Sequence, residues 1–105
     1  MLTNDPEITA RLRAVFTELL GRENVHDRKP MMGGEDFSRY AMTGEKVPVC
    51  LFWVGATPAA KLAESGKSGE PVPSLHSPFF HPDADVSLPV GVSAMSSAVL
   101  ELMRR

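Results

Sequence analysis

The sequence predicts a small α/β piece with a helix at each end and a loop-rich middle. Apolar residues recur at three- and four-residue steps in residues 6–20 and 88–103, which indicates two amphipathic helices. A continuous apolar run, VCLFWV at 49–54, lies between Pro48 and Gly55 and is typical of a short strand buried on both faces. Most prolines and glycines fall between residues 30 and 91, which predicts that loops dominate the middle.

The first predicted helix begins after Asp5, whose carboxylate can accept hydrogen bonds from first-turn amides. Pro6 fits the first helical position, and Gly21 suits the left-handed residue just past the helix end. The apolar face contains Ile8, Leu12, Val15, Phe16, Leu19 and Leu20. A short strand is predicted over residues 23–28.

Three further elements follow along the chain. Residues 35–40 predict a short helix, with two acidic residues in its first turn. Residues 58–73 are small and polar, which predicts a surface loop. Residues 88–103 predict the second long helix, with Pro89 in its first turn. Its expected buried stripe is Leu88, Val92, Met95, Val99 and Leu102.

Length and composition limit the classes of function. The chain has 105 residues, a net charge of −2 and a pI of about 5.9, so it is sized for one small domain and has no basic footprint for nucleic acid or a membrane surface. Its one cysteine, Cys50, cannot form an internal disulfide and lies in an apolar run, so we interpret it as a packed residue rather than a nucleophile. The N-terminus lacks a signal-peptide pattern and no segment is long and apolar enough to span a membrane, which predicts a cytoplasmic protein.

Two histidines stand in an unusual setting. The stretch PSLHSPFFHPD, residues 73–83, places His76 and His81 among prolines and phenylalanines. Imidazole is a common metal ligand, so a metal role is one interpretation. The other is that one histidine caps a turn while the other faces solvent. The residues alone favour the second, because HExxH and CxxC motifs are absent and His26 is far away in the sequence.

The loop Gly33-Gly34-Glu35-Asp36 also allows two interpretations. Paired glycines let a backbone approach a ligand closely, and amides at a following helix start can hold a carboxylate. The alternative is a tight turn whose acids cap a helix. Glu35 and Asp36 are adjacent, so on a helix they point about 100° apart and do not form a pair of catalytic carboxylates.

Several stretches together closely resemble a known enzyme family. MGGEDFS (32–38), the run VPVCLFWVGA, LHSPFF (75–80), and LPVGVSAMSSAVLEL (88–102) occur in the order and spacing seen in hippurate hydrolases and indoleacetyl-amino-acid amidohydrolases. These belong to the clan of aminoacylase and carboxypeptidase-G-like metallopeptidases. The opening NDPEITARLRAVFTELLG is also similar to the stretch preceding MGGEDF in those enzymes.

The resemblance implies a partial catalytic α/β domain of a zinc-peptidase-like fold, preceded by the last helix and strand of an inserted lid domain. Residues 1–28 would end the lid, which is the dimerisation-type domain, and residues 29–105 would close the catalytic domain. His76 falls on the family's final metal-ligand position, and His81 matches no ligand. Gly33, Gly34 and Glu35 match a segment at the rim of the substrate site.

The resemblance implies cleavage of the amide of an N-acylated amino acid, with a divalent metal (zinc, manganese, cobalt or nickel) polarising the carbonyl and activating water. The family's Cys-Gly-His-Asp motif and Glu-Glu pair do not occur in the sequence, so we expect no catalytic residue, no tightly bound metal and no activity in this chain alone. A non-enzymatic module, a homodimer, or a subunit completing a separate N-terminal half is the alternative. If the chain is alone, VCLFWV and the 88–102 helix should be exposed.

Overall fold

The computed structural model describes residues 2–31 and 36–104. It contains three α-helices: α1 (Pro6–Leu20), α2 (Ala59–Ser68) and α3 (Ala84–Leu102). Two 3₁₀ helices, Arg22–Asn24 and Phe37–Met42, lie between α1 and α2. The chain divides into a first compact unit, Met1–Phe52 with Ala94–Arg105, and a second, Trp53–Ser93.

Helix α1 begins as the sequence predicts. The Ile8 amide donates to Asp5 Oδ1 over 2.9 Å, which caps the helix, and Pro6 occupies its first turn. At the other end, the Gly21 amide donates to the Thr17 carbonyl over 3.0 Å. Gly21 has φ 85° and ψ 145°, so the left-handed conformation predicted for it is wrong. Residues with a Cβ rarely adopt this backbone conformation, which favours glycine at this position.

The core of the first unit is a small cluster in which both long helices take part. Leu12 and Phe16 of α1 are buried together with Ala94 and Ala98 of α3. The ring of Phe52 packs on Phe16 with centroids 4.9 Å apart, and Ile8, Val15, Val25 and Cys50 pack around the cluster. The predicted apolar face of α1 is therefore confirmed at its centre, whereas Leu19 remains 43% exposed.

No strand forms at residues 49–54, nor anywhere else among the described residues. The segment is held instead by the chain just before α1. Asn4 Oδ1 accepts from the Leu51 amide over 2.9 Å, Asn4 Nδ2 donates to the Leu51 carbonyl over 2.8 Å, and the Asp5 amide donates to the Val49 carbonyl over 2.7 Å. A strand requires a neighbouring strand, and no described segment provides one.

The strand predicted at 23–28 is also absent, because the 3₁₀ helix Arg22–Asn24 and irregular residues occupy it. The α/β fold class is therefore not confirmed, since the described elements are all helical. The assignment of residues 1–28 to a lid and 29–105 to a catalytic domain stays a prediction.

In the second unit, the prediction of a surface loop over residues 58–73 was wrong, because helix α2 (Ala59–Ser68) occupies most of that range. Alanine, lysine, leucine and glutamate in AAKLAESGKS favour helix. The helix ends at Gly69, which is left-handed (φ 76°) and donates its amide to the Ser65 carbonyl over 2.9 Å. The glycine that suggested a loop is thus a helix terminator.

Helix α3 begins at Ala84, four residues earlier than predicted. Asp83 caps this end of the helix, because its Oδ1 accepts a hydrogen bond from the Val86 amide over 3.4 Å. The Asp83 amide donates to the Ala56 carbonyl over 2.7 Å. Pro89 therefore lies in the second turn rather than the first. Because proline has no N–H, the carbonyl of Asp85 loses its usual helical donor.

The buried positions of α3 differ from the predicted stripe. Ala94 and Ala98 are buried, whereas Leu88, Val92, Met95, Val99 and Leu102 are 42% to 66% exposed. The large apolar side chains of α3 are thus exposed, as expected if the chain stands alone. The same expectation is wrong for most of VCLFWV, where Val49 is buried and only Trp53 is exposed. None of the described helices combines the length and apolarity needed to cross a membrane.

An ion pair joins α1 to the last turn of α3. Arg11 Nη2 donates to the Glu101 carbonyl over 2.8 Å and to Glu101 Oε1 over 3.3 Å, and Arg104 Nη1 donates to Oε2 over 3.0 Å. These hydrogen bonds, first that of Arg104 and then that of Arg11, lower the pKa of Glu101 from its ordinary 4.5.

We expect this pair to make stability depend on pH. A carboxylate whose pKa is lowered by folding stabilises the fold above its ordinary pKa, and the stabilisation is lost as pH falls through the lowered value. The free energy of unfolding, measured by urea titration from about pH 6 to about pH 3, should decline less steeply in Glu101→Gln than in the wild type. Parallel declines in the two proteins would contradict the role of Glu101.

Leu12→Ala should lower the free energy of unfolding by about 2–4 kcal/mol, because it opens a cavity in the buried cluster. Leu19→Ala, on the same helix but 43% exposed, is the matched control and should cost less than about 1 kcal/mol. Chemical unfolding followed by circular dichroism measures both. Equal losses in the two variants would show that the cluster is not the core.

Candidate functional site

The segment around His76 is a pair of consecutive turns in the second unit. The Ser77 amide donates to the Ser74 carbonyl over 2.9 Å, and the Phe80 amide donates to the Ser77 carbonyl over 3.0 Å. Ser77 Oγ also accepts from the Phe79 amide over 3.2 Å. Ser77 therefore fixes the backbone on both sides, and the prolines Pro73, Pro78 and Pro82 restrict the chain further.

The imidazole of His76 lies on the surface of this turn. Neither His76 nor His81, which is also exposed, forms a side-chain hydrogen bond or ion pair with any described residue. The turn is closed by serine and backbone groups, so no capping by a histidine is seen. His76 is thus presented to solvent on a constrained loop with both ring nitrogens available.

The described residues do not assemble a metal site around His76. Within residues 2–31 and 36–104, no three histidine, cysteine, aspartate or glutamate side chains come together in a way that could hold an ion. A catalytic zinc normally takes about three protein ligands. The described residues therefore offer one imidazole at this turn and do not fit a metal by themselves.

The predicted substrate residues Gly33, Gly34 and Glu35 lie outside the described residues. Asp36, which follows them, precedes the 3₁₀ helix Phe37–Met42 and accepts the Arg39 amide at its carbonyl over 3.0 Å. The short helix predicted over 35–40 is thus found, in the described part of that range, as the 3₁₀ helix Phe37–Met42.

An apolar groove in the first unit was not predicted. It has a volume of about 380 Å³ and is lined entirely by apolar, aromatic and cysteine side chains. Met95, Val99 and Leu102 of α3 form one wall, and residues 47–50 with Phe52 form another. The apolar stripe of α3 could have indicated this groove, but in the sequence it was interpreted as a buried face of the helix. The groove can hold apolar groups, and its described lining contains no histidine, aspartate, glutamate, lysine or arginine.

Cys50 lines this groove and is half-buried. Its Sγ lies 3.6 Å from Thr9 Oγ1, and its side chain packs against the buried cluster. No described histidine or lysine accompanies it as an activating base. The interpretation of Cys50 as a packed residue is consistent with this position.

Because all three histidines are exposed, we expect diethyl pyrocarbonate to modify His76, His81 and His26 at similar rates. Peptide mass spectrometry of briefly treated protein measures the rates residue by residue. Selective protection of His76 in the metal-free chain would contradict an imidazole that is unengaged. The variant Ser77→Ala, which removes one hydrogen bond of the turn, should leave these relative rates unchanged.

Comparison with known proteins identifies the relatives of this chain. Residues 1–101 match the family model described as peptidase family M20/M25/M40. The chain is 32% identical over 94 residues to IAA-amino acid hydrolase ILR1-like 4 of Arabidopsis thaliana, an alignment that covers 90% of this chain. The chain spans 19% of the length of that relative. No solved structure gives a significant match.

The family match covers nearly the whole chain, including the turn that presents His76 and the helices of both units. It confirms the resemblance found in the motifs MGGEDFS, LHSPFF and LPVGVSAMSSAVLEL. The chain belongs to peptidase family M20/M25/M40.

Proposed function

We propose that this chain is the C-terminal portion of a metal-dependent amidohydrolase that cleaves the amide bond of N-acylated amino acids, including hippurate-like substrates. The observation that carries the proposal is the family match over residues 1–101. The relative whose name describes a hydrolase of IAA-amino acids supports the substrate class, because such a compound is itself an N-acyl amino acid.

Within that enzyme, His76 would supply one ligand to a divalent metal: zinc, manganese, cobalt or nickel. Its position on a turn restricted by prolines supports this role, because a ligand needs a fixed backbone. Its lack of any hydrogen-bond partner among the described residues leaves the imidazole available. Gly33, Gly34 and Glu35 would form part of the substrate pocket wall.

The remaining ligands and the water-activating base would come from a part of the enzyme that precedes these residues. The described side chains contain no group of three possible metal ligands, which supports placing the other ligands elsewhere in the enzyme. Residues 1–28 would then end the lid, residues 29–105 would close the catalytic domain, and the enzyme would work in the cytoplasm.

A second candidate is a subunit that completes a separately encoded N-terminal half, or a small module without catalysis. The specific observation in its favour is the large apolar surface of α3, where five residues of the helical stripe are 42% to 66% exposed. Surfaces of this kind mark contacts with other protein. Both candidates share the proposal that further protein covers α3.

As an isolated protein, the chain should not hydrolyse hippurate or indoleacetyl-amino acids above background when zinc, manganese or cobalt is added. One imidazole cannot hold a catalytic metal or activate water unaided. Release of the free amino acid, followed by derivatisation and chromatography, measures hydrolysis.

The informative control is a pair of variants, His76→Ala and His81→Ala, which remove exposed imidazoles from the same segment. Turnover by the wild type that survives in His81→Ala and disappears in His76→Ala would overturn the expectation of inactivity. It would also place the whole metal site within these 105 residues.

A further inference from the structure

We draw no further inference here: the strongest candidate, the apolar groove that α3 and residues 47–50 line in the first unit, carries none, because nothing in the described part of the chain shows what covers it.

Discussion

The first unit depends on the contact of α1 with the C-terminal half of α3, where Leu12 and Phe16 meet Ala94 and Ala98. Two alanines on one face of α3 leave room for the larger side chains of α1, and Phe52 adds an aromatic ring to the same cluster. The cap at Asp5 and the Asn4 contacts then hold residues 49–52 beside α1. Loss of the cluster would therefore release the segment as well as the helices.

This core is small for the length of the chain. The buried apolar side chains among the described residues are the four of the cluster and Val49, and no described side chain is less than 2% exposed. Helices gain most of their stability in proteins from packing of an apolar face. On α3 that face is occupied by alanines, while leucine, valine and methionine point to solvent. This exposed apolar surface supports the proposal that further protein covers α3.

The sequence predicted a secondary-structure element correctly where the interactions that determine it lie within a few residues of one another. Helix α1 follows from its own cap, proline and terminal glycine, which are confirmed in position, and from apolar spacing, which is confirmed at Leu12 and Phe16 but not at Leu19. Gly21 ends the helix without adopting the predicted left-handed conformation.

Helix α2 was missed because its serines and glycines outweighed a favourable helical composition, although Gly69 is its terminator. The start of α3 was misplaced because Pro89 was taken as a first-turn residue, whereas Asp83 sets the start. The apolar pattern of residues 49–54 predicted a strand that does not form among the described residues. A local pattern cannot show whether a neighbouring strand is present, and a strand needs one.

The candidate site likewise has features that local sequence predicts and features that depend on residues distant in sequence. His76 could be singled out from its proline-rich context and the family motif, and the structure places it exposed on a fixed turn. Its metal role stays a prediction, because ligation requires side chains that the described residues do not bring to it. The apolar groove was missed because its lining residues are distant in sequence: they lie on α1, on the 3₁₀ helix Phe37–Met42, at residues 47–50 and 52, and on α3.

The most direct test of the central claim is immunoprecipitation from source-cell extract with an antibody raised against residues 88–105. The captured material would be sized and assayed for hydrolysis of N-acyl amino acids with and without a metal chelator. The account predicts a species far heavier than 11.4 kDa, or this chain with a bound partner, and hydrolysis that the chelator abolishes. An 11.4 kDa chain captured without a partner and without hydrolysis would contradict it.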